Sequence, residues 1–346
     1  HNIERYGPFK SFFEKLLKIY ELFFRLFNVK FDPDRNLFLS KIISKKIKKK
    51  LNNKEIDLIV VHDCTIISFL ETNIPIIIWT DLTFDLFHKS YFKNYNKFDQ
   101  NSLKSGHYLE KLSLNKAQKI IYSTKYAQEN AINKYKLKKI KTEIIPFGSD
   151  IAPISREKFF VLDKKRNRDK KLKFLSVGVD WDRKNMSKSI SVIAELNNKG
   201  IHSELIIVGS KPPKIFKIPP FVKIVPFLNK KINKDINKLK KIYFQSDYFI
   251  LLSKAEAFGL VLQEANSFGL PLILNNIDGM KFVANKKYTV FVAKDLSPSK
   301  ISLKVMSLIK NKSKYKNFSY NSFLSSHNNS WDAASKKFAK LINNVL

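Results

Sequence analysis

The fold class follows from one stretch of the chain, residues 248–271, which reads Tyr-Phe-Ile-Leu-Leu-Ser-Lys-Ala-Glu-Ala-Phe-Gly-Leu-Val-Leu-Gln-Glu-Ala-Asn-Ser-Phe-Gly-Leu-Pro. It opens with an apolar run that contains neither glycine nor proline, which is typical of a buried parallel strand. The next residues predict a turn and then a helix that begins near Gly259. A strand that leads directly into a helix is the repeating unit of an α/β fold.

Two carboxylates in this stretch are candidate ligand-binding groups. Glu256 falls in the predicted turn, and Glu264 falls about a turn and a half inside the helix. Both can face the carboxyl edge of the sheet, where open α/β sheets bind ligands. The backbone N–H groups at the helix start, from Phe258, Gly259 and Leu260, are suited to bind a phosphate.

This stretch resembles the donor-nucleotide motif of the GT4 family of glycosyltransferases, in which two glutamates are separated by seven residues. Phe-Gly-Leu after the first glutamate and Gly-Leu-Pro before the next strand make the match specific. The resemblance implies the GT-B fold, with two Rossmann-like parallel-sheet domains facing an interdomain cleft. It also implies a hexosyltransferase-type enzyme that moves a sugar, with retention of anomeric configuration, in glycan or glycolipid synthesis.

The same resemblance implies the binding partners. The donor is a UDP- or GDP-linked sugar that serves as a substrate, so no cofactor is expected. The acceptor is a glycan or a lipid-linked molecule. Glu264 is expected to accept hydrogen bonds from the ribose hydroxyls, as an acidic residue does in dinucleotide sites. Glu256 is expected to lie near the sugar and its anomeric centre, where charge develops.

The composition bounds the other function classes. A chain of 346 residues is long enough for two domains, and 64 Lys and Arg against 30 Asp and Glu give a net charge of +34. Such a charge suggests nucleic acid or an anionic membrane as a partner. Only seven of these cations are arginines, the residue that reads bases and phosphates bidentately, so we expect no specific nucleic acid.

Contact with an anionic membrane remains an alternative, because two basic helices are predicted near the N-terminus. Residues 11–27 carry a wide apolar face at helical spacing, which fits either packing on a sheet or contact with lipid head groups. Residues 38–51 end in a lysine-rich run that fits either a solvated face or an anionic surface. The single cysteine, Cys64, excludes a disulfide within the chain. With no signal peptide and no apolar run of membrane-spanning length, we expect a cytoplasmic protein with peripheral contact at the inner face of the membrane.

Four segments are predicted along the chain: an acceptor-side domain at residues 1–155, a linker at 156–171, a nucleotide-sugar-binding domain at 172–328, and a C-terminal helix at 329–346 that crosses back to the first domain. Apolar runs alternating with helical segments predict a parallel sheet in each domain. The first residues resemble the end of a second strand in related proteins. We therefore expect an N-terminal truncation that removes the first strand and helix.

Two candidate catalytic residues follow predicted strands of the first domain. Asp81 lies in Trp-Thr-Asp-Leu-Thr-Phe, which resembles a segment of a GT4 subgroup, although an aspartate capping the next helix is an equal alternative. His62 ends the preceding strand, and many GT4 enzymes carry a histidine that contacts the transferred sugar. The local pattern around His62 matches that motif poorly.

The second domain opens with a strand that runs into Gly178, with Arg183 and Lys184 just beyond it. A glycine lets the backbone approach a bound group, and two cations can neutralise a diphosphate as the leaving group gains charge. Many GT4 enzymes have an arginine directly after this glycine, where Val179 stands here. Phe227 follows a later strand and is a candidate contact for the nucleobase, with a place in the core as the alternative.

Two Asp-x-Asp strings, at residues 32–34 and 180–182, match the metal-binding string of some transferases. Because Arg183 and Lys184 would repel a dication beside the second string, we expect no catalytic metal.

Two rival classes remain open. One is a catalytically impaired relative that binds a nucleotide without turnover. The other is a basic protein that binds membranes or nucleic acid and shows no response to nucleotide sugars.

Overall fold

The computed structural model describes residues 29–30, 32–52, 54–92, 97–166 and 171–346. They divide into two units, one comprising the chain up to Pro146 together with Lys337–Leu346, and the other comprising Phe147–Lys336. The predicted helix at residues 11–27 and the predicted strand end near the N-terminus lie outside the described residues.

The described part of the first unit contains one parallel sheet and one short parallel pair. Its strands are β1 (Val29–Lys30), β2 (Ile59–Val61), β3 (Ile76–Thr80), β4 (Lys97–Phe98), β5 (Lys119–Tyr122) and β6 (Thr142–Ile144). The sheet has the order β2-β3-β5-β6, and β1 pairs with β4. Its helices are α1 (Leu37–Leu51), α2 (Phe84–Tyr91), α3 (Gln100–Lys116) and α4 (Lys125–Tyr135). The four sheet strands confirm the parallel sheet that the apolar runs predict for the first domain.

Side-chain caps and buried isoleucines explain these elements. Ile77 and Ile78 of β3 and Ile120 and Ile121 of β5 are fully buried, which is the pattern of a parallel sheet covered on both faces. Each of the four helices begins after a residue whose side-chain oxygen accepts from a first-turn N–H, as at Thr83 before α2.

The second unit contains a six-stranded parallel sheet. Its strands are β7 (Leu172–Val177), β8 (Ser203–Val208), β9 (Val222–Val225), β10 (Tyr248–Leu251), β11 (Leu272–Asn275) and β12 (Thr289–Val292), in the order β12-β11-β10-β7-β8-β9. Its helices are α5 (Arg156–Lys165), α6 (Met186–Asn198), α7 (Asn233–Gln245), α8 (Leu260–Ser267), α9 (Asp278–Lys281), α10 (Pro298–Ile309), α11 (Lys312–Asn328) and α12 (Trp331–Ile342).

The strand order places a topological switch point between β7 and β10. The chain builds β7, β8 and β9 towards one edge of the sheet, and then returns to add β10, β11 and β12 on the other side of β7. The loops after β7 and β10 therefore leave the sheet side by side in opposite directions. In open α/β sheets this is the position at which ligands bind.

The structure differs from the sequence prediction at residues 156–171. Most of this predicted linker is α5, which begins after the capping hydroxyl of Ser155 and buries Phe159 and Leu162 in the second unit. The ring of Phe159 stacks on that of Phe323 at 4.4 Å between centroids. A buried aromatic contact stabilises a helix whose sequence shows no clear period.

The last helix, α12, starts in the second unit and ends in the first. Within the first unit, the ring of Phe338 lies 5.1 Å from that of Trp79, between centroids. Among the described helices, none has the length and apolar character required to cross a membrane.

Candidate functional site

The loops at the switch point of the second unit carry a cluster of charged side chains. Lys184 follows β7, and Glu256 follows β10. The Nζ atom of Lys184 lies 2.5 Å from Oε2 of Glu256, and an Nη atom of Arg183 lies 3.5 Å from the same oxygen. Lys184 and Glu256 are both buried, with 6% and 9% of their surface exposed, while the side chain of Arg183 is 27% exposed.

Backbone contacts join the same two loops. The guanidinium of Arg183 donates to the carbonyl of Ala255 at 3.2 Å, and the N–H of Lys254 donates to the carbonyl of Arg183 at 2.7 Å. Breaking one partner of a buried ion pair leaves an uncompensated charge, which costs several kcal/mol. The two loops are therefore held to each other through charge as well as backbone.

Two glycines permit these positions. A Cβ atom on Gly178 would lie 2.8 Å from Cγ of Lys184, so the absence of a side chain lets the lysine stem lie against the backbone. A Cβ atom on Gly279, in α9, would lie 1.7 Å from the carbonyl oxygen of Glu256. Gly178 was predicted from the sequence and Gly279 was not, because nothing in the sequence indicates which backbone segment approaches a glycine.

The helix start predicted near Gly259 is confirmed, since α8 begins at Leu260. Gly259 has a φ of +73°, a left-handed conformation that L side chains rarely adopt. No side chain caps this N-terminus. It presents the positive end of the helix dipole, beside the cluster of Arg183, Lys184 and Glu256.

Glu264, in the second turn of α8, belongs to a separate cluster. It is fully buried; its Oε1 atom pairs with Nζ of Lys230, and its Oε2 atom accepts from the hydroxyl of Tyr243 at 2.8 Å. Lys230 also pairs with Oδ2 of Asp150 at 2.7 Å. Both glutamates were expected to face the same carboxyl edge of the sheet, and in the structure they have different partners: Glu256 pairs with Lys184, and Glu264 pairs with Lys230.

Burial and charge act in opposite directions on this second cluster. Burial raises the pKa of Glu264, and the positive charge of Lys230 offsets part of that rise. For Lys230, burial alone would lower the pKa, but the charges of Glu264 and Asp150 and its hydrogen bonds to them raise it above its ordinary value. Lys230 therefore carries its positive charge at neutral pH. The sequence contained one weak signal for Lys230, its position just beyond the carboxyl end of a strand.

Phe227, the candidate contact for the nucleobase, lies just beyond β9 and is 64% exposed. The core alternative therefore does not apply to Phe227, whereas the neighbouring Leu228 is buried.

In the first unit, the candidates His62 and Asp81 follow the neighbouring strands β2 and β3. They lie at the same carboxyl edge of that sheet. Nδ1 of His62 is 2.8 Å from the carbonyl oxygen of Trp79, which fixes the orientation of the ring. The capping alternative for Asp81 is not realised, because Thr83 caps α2.

The first unit also has a cavity of about 520 Å3 at the opposite, amino-terminal edge of its sheet. Four lysines line it, among them Lys119 and Lys141, which donate to the carbonyls of Ile140 and Asn115. Lysines can satisfy carbonyl groups that have no partner within a helix. Lys119 and Lys141 therefore have a structural role in this cavity and do not by themselves indicate a ligand site.

In both Asp-x-Asp strings, the first aspartate accepts a hydrogen bond from a backbone N–H two or three residues further on. Oδ1 of Asp180 accepts from the N–H of Arg183 at 3.0 Å, and Oδ1 of Asp32 accepts from the N–H of Asp34 at 3.1 Å. Within the part of the chain that the structure describes, no group of three or more His, Cys, Asp or Glu residues is arranged to hold a metal ion.

A family model matches the part of the chain that includes Arg183, Lys184 and Glu256. The family model described as "Glycosyl transferases group 1" matches residues 158–325, nearly half of the chain and most of the second unit. Among curated proteins, none matches the sequence.

Solved structures match most of the chain. Sucrose-phosphate synthase from Thermosynechococcus elongatus matches with a TM-score of 0.70 at 16% identity, covering 91% of this chain and 80% of that protein. Anabaena Alr3699/HepE, in complex with UDP and glucose, has a TM-score of 0.62 at 15% identity, with coverages of 88% and 81%. WaaG, a glycosyltransferase involved in lipopolysaccharide biosynthesis, has a TM-score of 0.60 at 17% identity, with coverages of 83% and 80%.

At these identities the likeness establishes the fold. The α/β structure with two parallel sheets is that of GT-B glycosyltransferases, as the sequence analysis predicted.

Proposed function

We propose that this protein is a glycosyltransferase that moves a sugar from a nucleotide-sugar donor to an acceptor. The observation that carries the proposal is the cluster of Arg183, Lys184 and Glu256 beside the N-terminus of α8, at the switch point of a sheet that matches the group 1 family model. Two cations and a helix N-terminus suit a diphosphate, which has the opposite charge.

Donor binding begins with an exchange of partners. Glu256 neutralises Lys184 and Arg183 in this structure. A diphosphate that binds between these cations and the N–H groups near Phe258, Gly259 and Leu260 competes with the Glu256 carboxylate. The same cations then stabilise the charge that develops on the leaving nucleoside diphosphate.

The other candidate residues bind different parts of the substrates. Glu264 accepts from the ribose, Phe227 contacts the base, and Glu256 lies near the sugar. Asp81 and His62, at the carboxyl edge of the first sheet, are the further candidate catalytic residues, and His62 contacts the transferred sugar.

The finer features of the reaction follow the resemblance to GT4. We propose retention of anomeric configuration, hexosyl transfer from a UDP- or GDP-linked donor, and no metal or cofactor. The UDP and glucose bound to HepE support a UDP-linked donor, and the role of WaaG in lipopolysaccharide biosynthesis supports a glycan or lipid-linked acceptor. We also propose a cytoplasmic location with peripheral contact at an anionic membrane, supported by the lysine-rich end of α1.

A thermal-shift panel of UDP- and GDP-linked sugars tests donor binding. One donor is expected to raise the melting temperature of the wild-type chain, because a ligand that binds only the folded state stabilises it. Lys184→Ala and Glu264→Ala are each expected to abolish that shift, measured against the ligand-free melting temperature of the same variant. Lys238→Ala, on the exposed face of α7, is the matched control and should keep the full shift.

Release of the nucleoside diphosphate, with and without candidate acceptors, tests turnover. A donor shift without any release would indicate the impaired relative. The absence of a shift with every donor, combined with salt-sensitive binding to anionic vesicles or polynucleotides, would contradict the proposal and favour the basic binding protein.

A further inference from the structure

The loop between β8 and β9 carries an apolar side chain at its tip that donor and acceptor binding do not use. The N–H of Phe216 donates to the carbonyl of Pro213 at 2.9 Å and closes a turn. Lys214 and Ile215 form the corner of this turn, and Ile215 is 94% exposed. Glycine, proline and short polar residues dominate turns, so the turn itself does not explain an isoleucine at its corner.

The loop is held in place on both sides of its tip. The ring of Phe216 packs edge-on against the ring of the buried Trp181, with 5.3 Å between centroids. The N–H of Val222 donates to the carbonyl of Pro219 at 3.0 Å. Two Pro-Pro pairs, at residues 212–213 and 219–220, restrict the backbone further. Ile215 is therefore presented to the exterior by a preorganised turn, which loses little conformational entropy when it binds a partner.

The sequence around this tip is basic throughout. From Leu205 to Lys234 the chain contains seven lysines and neither an aspartate nor a glutamate. Three of these lysines belong to the loop and are exposed: Lys211, Lys214 and Lys217. Protection of a sheet edge against pairing would account for the prolines and for Lys223 on the edge strand β9. It does not account for Ile215, because an exposed apolar side chain gives no such protection.

An exposed isoleucine among lysines suits the surface of an anionic bilayer. The apolar side chain can enter the boundary of the acyl chains, while the lysine stems extend their ammonium groups to the lipid phosphates. Nucleic acid fits this loop less well, because isoleucine has no ring to stack on a base and residues 205–234 contain no arginine.

We propose that residues 211–218 form a membrane-insertion loop, through which the second unit binds anionic phospholipid. This inference rests on the membrane contact in the proposed function, which α1 of the first unit supports. It adds a second contact surface and names Ile215 as the side chain that enters the lipid.

Sedimentation of the full chain with vesicles tests the proposal. Equal parts of phosphatidylcholine and phosphatidylglycerol form the anionic vesicles, and phosphatidylcholine alone forms the neutral ones. The wild-type chain is expected to sediment with the anionic vesicles only, and less so as NaCl is raised, because salt screens the lysines. The triple variant Lys211→Gln, Lys214→Gln, Lys217→Gln is expected to bind roughly 10-fold more weakly or worse. Ile215→Ser, which keeps all three charges, is expected to bind about 10-fold more weakly.

The matched control removes three charges elsewhere on the second unit. It replaces exposed lysines of α10 and of the residue that follows it: Lys300→Gln, Lys304→Gln and Lys310→Gln. Its binding is expected to stay within about 3-fold of the wild type, because the lost charges lie outside the loop. All of the substituted side chains are exposed, so the melting temperature of each variant should not fall.

Fluorescence measures insertion directly. Ile215→Trp is expected to gain a blue-shifted emission with anionic vesicles, and brominated acyl chains should quench it, because the indole leaves water. The wild-type spectrum, with its three native tryptophans, provides the baseline. Leu303→Trp is the control, at a residue of α10 that is 55% exposed, and should show neither change.

The outcomes separate this inference from the proposed function. A wild-type chain that does not bind anionic vesicles would overturn this inference together with the proposed membrane contact, whereas the donor thermal shift tests sugar transfer independently. If the triple variant or Ile215→Ser keeps wild-type binding, or if the emission of Ile215→Trp does not change, this inference alone is overturned and α1 remains the contact. Binding of polynucleotides through the three lysines, without binding of vesicles, would also refute it.

Discussion

Glu110, in α3 of the first unit, is a buried carboxylic acid. It is 3% exposed, and its Oε1 atom accepts from the N–H of Phe84 at 3.3 Å. Burial raises its pKa to about 7, with the charge of Arg35 acting in the opposite direction. The folded state thus binds a proton that the unfolded chain, with an ordinary glutamate, releases at lower pH.

The sign of the effect on stability follows from this raised pKa. The contribution of Glu110 is fully present below its unfolded pKa of about 4.3 and is lost as the pH rises through about 7. The loss amounts to roughly 4 kcal/mol, from a difference of nearly three pKa units. We expect Glu110→Gln to remove it, so that the variant gains stability relative to the wild type between pH 5 and pH 8 in urea unfolding. An equal pH dependence in both proteins would contradict this assignment.

Helix α5 shows what a short amphipathic element contributes when only two of its side chains enter the core. Phe159 is 2% exposed against Phe323, while the next residue, Phe160, is 44% exposed. Phe159→Ala is expected to lower the free energy of unfolding by about 3–4 kcal/mol, because it leaves a cavity. Phe160→Ala should cost less than about 1 kcal/mol. Equal small losses in thermal unfolding would mean that residues 156–165 behave as the linker that the sequence predicts.

The elements predicted correctly from the sequence are those with a local signal. The strands β3, β8 and β10 each contain at least four consecutive apolar residues, and α8 begins where Gly259 permits a left-handed turn. Strand β12 (Thr289–Val292) was not predicted, because only three of its four residues are apolar. Helix α5 was missed because its period is carried by two residues.

The residues of the candidate site could also be predicted only in part. The sequence identified Gly178, Arg183, Lys184 and Glu256 as residues at the ends of strands, and the structure brings the last three together. It did not reveal that Glu264 pairs with Lys230. Lysines occur throughout the chain, and the choice among them is made by the packing of the loop after β9 against α8.

The net charge of +34 affects the stability of the entire chain. Like charges on a folded protein repel one another, and the repulsion decreases as salt shortens the screening length, which is about 10 Å at 0.1 M and about 30 Å at 0.01 M. The ion pairs of Lys184 and Lys230 are partly or fully buried and are screened less.

We therefore expect the melting temperature to rise by a few degrees when NaCl is increased from about 0.01 M to about 0.3 M. Differential scanning calorimetry at constant pH measures the effect, and sucrose at matched osmolality serves as the uncharged control. A fall in melting temperature with salt would show that attractive surface pairs outweigh the repulsion.

The contact between Trp79 and Phe338 has a consequence for the order of synthesis. Strand β3 leaves the ribosome early, yet Lys337–Leu346, which belong to the same unit, are translated only after the whole of Phe147–Lys336. Domains generally fold as they emerge, the N-terminal one first. The first unit therefore begins before the second and is completed after it, so the contact between Trp79 and Phe338 can form only once all of Phe147–Lys336 has been translated.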